Sequence, residues 1–237
     1  ALLSRRPRDP DSVRHDQASA AEASAQQAAD THEEHPSRQS QRGLDWFIFF
    51  LADVQTGFGP FVAVYLTTQK WTQAEIGLIL SIGGIVGLIG QMPGGAIIDA
   101  ARSERFVAGL AVATIGVSAL AYAAWPIFPI IALAALLHAA ASCVLGPAIA
   151  AISLGLVGPA AIGERLGRNA RFASLGNGVA AAVMGAVGYF LSSRAVFVVS
   201  FLFATATLFS LASIRDREID PEQAHGVITP VLPYPHA

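Results

Sequence analysis

Charge is scarce in this chain, and what there is lies in clusters. Only 14% of the 237 residues are Asp, Glu, Lys or Arg, where a soluble domain carries about 25%. Such long uncharged stretches exclude an ordinary water-facing surface. Cysteine is nearly absent: Cys143 stands alone, which excludes an internal disulfide and a cysteine-rich metal site. No second His or acid lies at ligand spacing from His138, so no metal is expected. No Gly-rich loop ending in Lys and Ser or Thr is present to cradle nucleotide phosphates, and no cofactor is expected. A net charge of −2 offers little to a polyanion, so nucleic acid is not expected as a partner. Residues 1–43 lack the apolar core of a signal peptide.

What is abundant is apolar sequence. Hydrophobic residues make up 53% of the chain, and runs of roughly 19–23 residues suit helical crossings of a hydrocarbon core about 30 Å thick. These runs predict an all-α integral membrane bundle of six transmembrane helices, at about 44–66, 76–98, 106–124, 127–157, 172–191 and 195–214. Residues 1–43 contain six basic and seven acidic side chains and no apolar period, the signature of a disordered tail. Residues 215–237 are polar and Pro-rich. Gly59-Pro60 in the first run and Gly146-Pro147 in the fourth each remove a backbone donor and predict a kink. Breaks at corresponding places suit a 3+3 inverted repeat. Gly83, Gly87, Gly90 and Gly94 fall on one helix face, a stripe that lets a second helix approach closely.

The basic residues set the orientation. With the tail cytoplasmic and six crossings, that side holds Arg38, Arg42, Arg102, Arg105, Arg165, Arg168, Arg171, Arg215 and Arg217, while the other holds Lys70 and Arg194. This positive-inside bias places both termini in the cytoplasm. The plasma membrane is the expected location and the lipid bilayer the first partner.

Polar groups inside apolar runs are the candidates for chemistry. Asp53 lies near the centre of the first run, where a carboxylate costs about 2.5–3.5 kcal/mol on insertion scales and usually faces a cavity or a partner. It is a candidate to bind a proton or a cationic substrate group. Gln55, His138, Ser142 and Asn177 are candidates to hydrogen-bond a substrate, and His138 and Ser142, four apart, share a face. The competing reading is hydrogen bonding between helices. Two charged turns on the predicted cytoplasmic side carry Asp99, Arg102 and Arg105, and Glu164, Arg165 and Arg168. They are candidates for a gate whose ion pairs form in one state and break in another.

The turn Gly95, Asp99, Arg102, Arg105 resembles the signature loop of the major facilitator superfamily, a Gly, then Asp four residues later, then basic residues. Gly163-Glu164-Arg165-Leu166-Gly167-Arg168-Asn169 is similar to a second loop found in many members. The resemblance covers about residues 44–220. It implies twelve crossings in two halves, of which this chain is the first, so that a second six-helix bundle is an expected partner. It also implies a gating role for Gly95, Asp99 and the nearby arginines. In three places the chain departs from the pattern. Arg102 displaces the Gly expected in the signature loop. Ala100 follows the Asp where a basic residue is usual, and no Lys or Arg lies between Arg105 and Arg165, so the span-four arginine of many proton-coupled exporters is absent.

The expected function is therefore secondary active transport of a small solute by alternating access, with proton coupling through Asp53 as an option, and not enzymatic catalysis. The rival readings are a six-span intramembrane enzyme and a non-transporting membrane protein acting as a homodimer. An intramembrane serine enzyme needs its His on a different span from its Ser, whereas Ser142 and His138 share one.

Overall fold

The computed structural model describes residues 37–56, 59–220 and 224. Most of the tail expected over residues 1–43, the side chain of Gln55 and most of the stretch beyond residue 220 lie outside the described residues. The architecture is all helical, with no strand among the described residues. In chain order the helices are α1 (Arg38–Thr56), α2 (Gly59–Thr68), α3 (Gln73–Asp99), α4 (Glu104–Ala124), α5 (Phe128–Phe190) and α6 (Ser193–Ala212), followed by a short 3₁₀ turn at Asp216–Glu218. Four of them, α3 to α6, are long and apolar enough to cross a membrane.

Local chemistry sets the helix starts. Thr72 and Glu75 form a reciprocal capping box at α3, with Glu75 N donating to Thr72 Oγ1 and Thr72 N to Glu75 Oε2. Ser103 caps α4 and Ser192 caps α6 by accepting from Phe106 N and Ala195 N. These caps satisfy amides that no helical carbonyl can reach.

The first apolar run holds two helical stretches, α1 and α2; residues 57 and 58 between them lie outside the described residues, and with them the kink expected before Pro60. One difference from the sequence reading matters. The fourth and fifth runs are joined into one helical element of 63 residues. At a rise of 1.5 Å per residue that is about 95 Å, far beyond one crossing. Its backbone leaves helical geometry at Gly158 (φ 71, ψ 171), not at Gly146-Pro147. This positive φ favours glycine, and Pro159 behind it restarts the helix at a position that tolerates proline. The two arms are residues 128–157 and 159–190. Glu164, Arg165 and Arg168 are therefore on a helix and not in a turn, which fixes which of them share a face.

Helices α3, α4, α1 and α6 all pack on α5, and α6 also packs on α1 and α4. Small residues allow the close crossings. A methyl on Gly116 would meet Ala204 Cβ at 3.0 Å, joining α4 to α6. A methyl on Gly176 would fall on the backbone of Phe49, joining α5 to α1. A buried aromatic group ties α2, α4 and α6. The Phe197 ring lies 4.8 Å from Tyr65 and 5.1 Å from Tyr122, and the Tyr65 hydroxyl donates to the Tyr122 carbonyl at 2.8 Å.

After α6 the chain forms a strap across one end of the bundle. Arg105 on α4 pairs with Asp216 at 3.1 Å and also donates to the Ile214 carbonyl. Ser37 N donates to Glu218 Oε2, Arg215 N to Ser40 Oγ, and Asp220 N to the Gly155 carbonyl. Burial of Glu218 alone would raise its pKa, but hydrogen bonds from Ser37 and Ser40 and the charge of Arg215 outweigh it, so the carboxyl sits below its usual range. A lowered carboxyl pKa contributes stability above the unfolded value of about 4.3, lost as pH falls through the folded value. The strap's hold on α1 is therefore complete at neutral pH. At Gly155 an added Cβ would meet Ile219 at 2.8 Å and the Asp220 carbonyl at 3.0 Å. Gly155→Leu is expected to unseat the strap, costing about 1–3 kcal/mol and speeding amide exchange over residues 214–220. Unchanged exchange there would show that the strap is not seated on Gly155.

Candidate functional site

Two constellations stand out: a cavity among four helices, and a buried ionic cluster at the end of the bundle that carries the strap. The cavity, of about 310 Å³, lies between α2, α3, α4 and α5. Gly83, Gly84 and Gly87 of α3 face His138, Ser142 and Cys143 of α5 across it, with Gln91 and Tyr122 also on its wall. Ile79, Leu80 and Val62 are apolar parts of the lining. The Ser142 hydroxyl donates to the His138 carbonyl at 2.8 Å, one turn back on its own helix. Its hydrogen is thus directed to the backbone.

The glycine stripe of α3 divides in two. A Cβ on Gly90 would meet Cys143 Sγ at 2.6 Å, and one on Gly94 would fall on the Cys143 carbonyl. These two glycines serve the α3–α5 crossing. Beside Gly83, Gly84 and Gly87 an added Cβ meets nothing within 4 Å. Within this chain, close approach of a second helix is seen at Gly90 and Gly94.

Asp53 does not line this cavity. It is 1% exposed on α1, and both its carboxylate oxygens lack a hydrogen-bond partner among the described residues. Asn177, on the second arm of α5, is exposed and also outside the cavity lining. Of the polar residues the sequence singled out for substrate, the structure brings His138 and Ser142 together with Gln91, and keeps Asp53 and Asn177 apart from them.

The ionic cluster is centred on Asp45, a residue outside the candidates that the sequence singled out. Asp45 is 2% exposed and Arg165 4%. Arg165 Nη2 donates to Asp45 Oδ1 at 2.7 Å, and Arg168 Nε donates to both carboxylate oxygens at 2.9 and 3.1 Å. Arg168 Nη2 also donates to Asp45 Oδ2. Arg165 Nε donates to Asn169 Oδ1 at 2.8 Å, and Asn169 Nδ2 donates to Ser153 Oγ at 2.9 Å. One carboxylate thus joins α1 to the second arm of α5, and Asn169 extends the chain of bonds to the first arm. Arg168 further lies over the Phe172 ring at 5.9 Å. Arg165, Arg168 and Asn169 are spaced i, i+3 and i+4, which puts them on one helix face; that spacing was the available signal.

The other charged candidates sit differently. Gly95 lies in the last turns of α3 with open space beside it, and Asp99, its last residue, is exposed, as are Arg102 and Glu164. Arg105 turns to the strap.

With this geometry in place, comparison with known proteins is informative. The family model described as Major Facilitator Superfamily matches residues 46–233. The chain belongs to the major facilitator superfamily. Two relatives from Mycobacterium tuberculosis, strains CDC 1551/Oshkosh and H37Rv, are each described as an uncharacterized MFS-type transporter and are each 37% identical over 192 residues. That match covers 78% of this chain and 45% of each relative, so the chain spans about half the length of the curated relatives it matches. Membership makes this an integral membrane protein of a family of transporters, in keeping with four helices long and apolar enough to cross a membrane.

Proposed function

We propose that this superfamily member is the N-terminal bundle of a secondary transporter that moves a small solute by alternating access, with Asp53 as the site of proton or cation coupling. The observation that carries the reading is Asp53 itself, a fully buried carboxylate with no hydrogen-bond partner among the described residues. Left ionised and alone at such depth, it costs about 2.5–3.5 kcal/mol on insertion scales. A bound proton or cationic group removes that cost.

Six crossings follow if α1 and α2 form one span and the two arms of α5 form two. The first three then run from α1 to α4, and the second three from α5 to α6, in a 3+3 arrangement. In this reading both termini are cytoplasmic, which the arginine distribution supports, and the membrane is the plasma membrane. The missing half of the transporter, a second six-helix bundle, covers the apolar face of α3, where Leu88 and Met92 are 79% and 88% exposed. Alternating access in such carriers is a rocking of one bundle against the other around the solute. In this division Arg105, Arg165 and Arg168 hold the bundle together, while Asp99, Arg102 and Glu164 are free to form the gate with the second bundle.

The test is uptake into vesicles holding the full-length protein, with and without an imposed pH gradient, across a labelled panel of neutral, anionic and cationic solutes. Asp53→Asn should abolish gradient-driven accumulation, with downhill exchange retained. If Asp53→Asn keeps both the accumulation and its pH dependence, the coupling role is lost.

A further inference from the structure

The strap is seated on the joint between the two arms of α5. Within a regular helix the Gly155 carbonyl would accept from the amide of residue 159, but Pro159 has no N–H to give. The Asp220 amide takes that place and donates to the Gly155 carbonyl at 2.9 Å. Ile219 and Ala224 pack so closely there that a Cβ on Gly155 would meet them at 2.8 and 3.1 Å. The strap thus closes a gap in the hydrogen bonding of α5, just before the positive φ of Gly158. Asn169 of the second arm donates to Ser153 of the first. Ser153 and Gly155 are two residues apart, about 200° round the helix, so the joint is held from opposite faces.

Resting on the transporter reading above, we infer that the strap is an autoinhibitory clasp: seated on Gly155 it fixes the angle between the arms of α5 and holds the bundle in one state, and transport requires its release. The same short segment is tied to two more helices. Between Ile214 and Glu218 it holds Arg105 of α4 through the Ile214 carbonyl and Asp216, Ser40 of α1 through the Arg215 amide, and Ser37, just before α1, through Glu218. Pinned at nearly every residue, it has no slack. A hydrogen bond is lost once its partners draw apart by about 1 Å. Any change of angle at Gly158 that shifts Gly155 against α1 and α4 therefore breaks the seat. Contacts packed this closely switch between discrete arrangements and do not stretch. A static brace would use the same bonds, but the two roles differ in sign. Locking a clasp stops the protein and opening it speeds the protein. Locking a brace does nothing and opening it does harm.

The experiment uses the full-length protein in lipid vesicles, with one variant that opens the strap and one that locks it. Asp220→Pro removes the donated N–H. Ile219, at φ −96 and ψ 111, already has the extended backbone that a following proline requires. Asp220→Ala keeps the amide and controls for the side chain. For locking, Gly155→Cys is combined with Ala224→Cys. A Cβ at residue 155 lies 3.1 Å from that of Ala224, a few tenths short of the about 3.5–4.5 Å spanned by a disulfide. Wild type, with Cys143 alone, controls for the oxidant. Amides of residues 214–220 are expected to exchange as two populations in wild type, seated and released. The oxidised pair keeps only the slow one, and Asp220→Pro shifts weight to the fast one by about 2- to 10-fold, the worth of one hydrogen bond. Initial uptake of a panel solute that the wild type carries rises by about 2-fold or more in Asp220→Pro. It falls by about 10-fold on oxidation of the pair, returns with reductant, and stays at the wild-type rate in Asp220→Ala. The clasp is overturned if wild type shows a single protected population, if the pair fails to cross-link, if the locked protein carries solute at the wild-type rate, or if Asp220→Pro lowers uptake or matches Asp220→Ala. Each of those results with uptake present keeps the transporter. Two exchange populations that shift as expected, in a protein that takes up none of the panel, would keep the clasp on the joint and count against the transporter.

Discussion

Asp45→Asn is expected to lower the melting temperature of the detergent-solubilised protein by about 10 °C, corresponding to about 3–5 kcal/mol. The reason is asymmetry. An intact buried ion pair adds little net stability, because the attraction between its charges mostly offsets the cost of drying them. Removing one partner leaves the other dry and uncompensated. Here the carboxylate and the first guanidinium are 2% and 4% exposed, and Arg165 without Asp45 would retain only the Asn169 carbonyl among its bonds described above. Arg168 is affected less, since its side chain is 46% exposed and water can replace the lost contact. Arg165→Met in the Asp45→Asn background should therefore recover much of the loss, whereas Arg168→Met should not. The coupling between positions 45 and 165 is measured by a double-mutant cycle. A fall of less than about 2 °C for Asp45→Asn would mean that the cluster is hydrated and contributes little.

A second large loss is expected from Gly176→Leu, and a smaller one in the same direction from Gly176→Ala. A Cβ at this position would land on the Phe49 carbonyl and within 3.1 Å of its Cα. Backbone cannot rotate aside as a side chain does, so α1 and the second arm of α5 must separate. Overpacking of this sort costs about 1–3 kcal/mol for an added methyl, and more for a larger group. Separation would also loosen the Trp46–Phe172 edge contact, now 6.4 Å between ring centres, and lengthen the Arg168–Asp45 bonds in the same interface. Gly178 is the control. It lies two residues away on the same helix with nothing within 4 Å of an added Cβ, so Gly178→Ala should be neutral or stabilise by up to about 1 kcal/mol. If both alanine variants melt alike, the close crossing is not a source of stability.

The sequence made the membrane character legible because it depends on local composition. The family was legible because Gly95, Asp99, Arg102 and Arg105 sit close together in the chain. Three features were not, each for a physical reason. Charged residues between apolar runs read as a turn, yet Glu164 to Arg171 is helical, because Arg165 and Asn169 point inward to partners and need no loop to reach water. Asp45 binds a residue 120 positions away, and no local pattern encodes that distance. The glycine spacing of α3 defined a face but not what the face meets, so Gly90 and Gly94 could not be told from Gly83 and Gly87.

The strap alters the polymer physics of whatever follows it. A linker's reach and its effective concentration are counted from its last fixed point, and here that point is not the end of α6. The chain is held at Asp220 by the Gly155 carbonyl, and Ala224 is buried beside the same glycine. In the full-length transporter proposed above, a downstream bundle would be tethered from the junction of the two α5 arms and not from the end of α6. A shorter tether raises the local concentration of its cargo roughly as the −3/2 power of length, provided it still spans the gap. Lengthening the segment after residue 224 with Gly-Ser repeats should therefore weaken re-association of separated halves gradually. Cutting the strap from Gly155 should weaken it in one step.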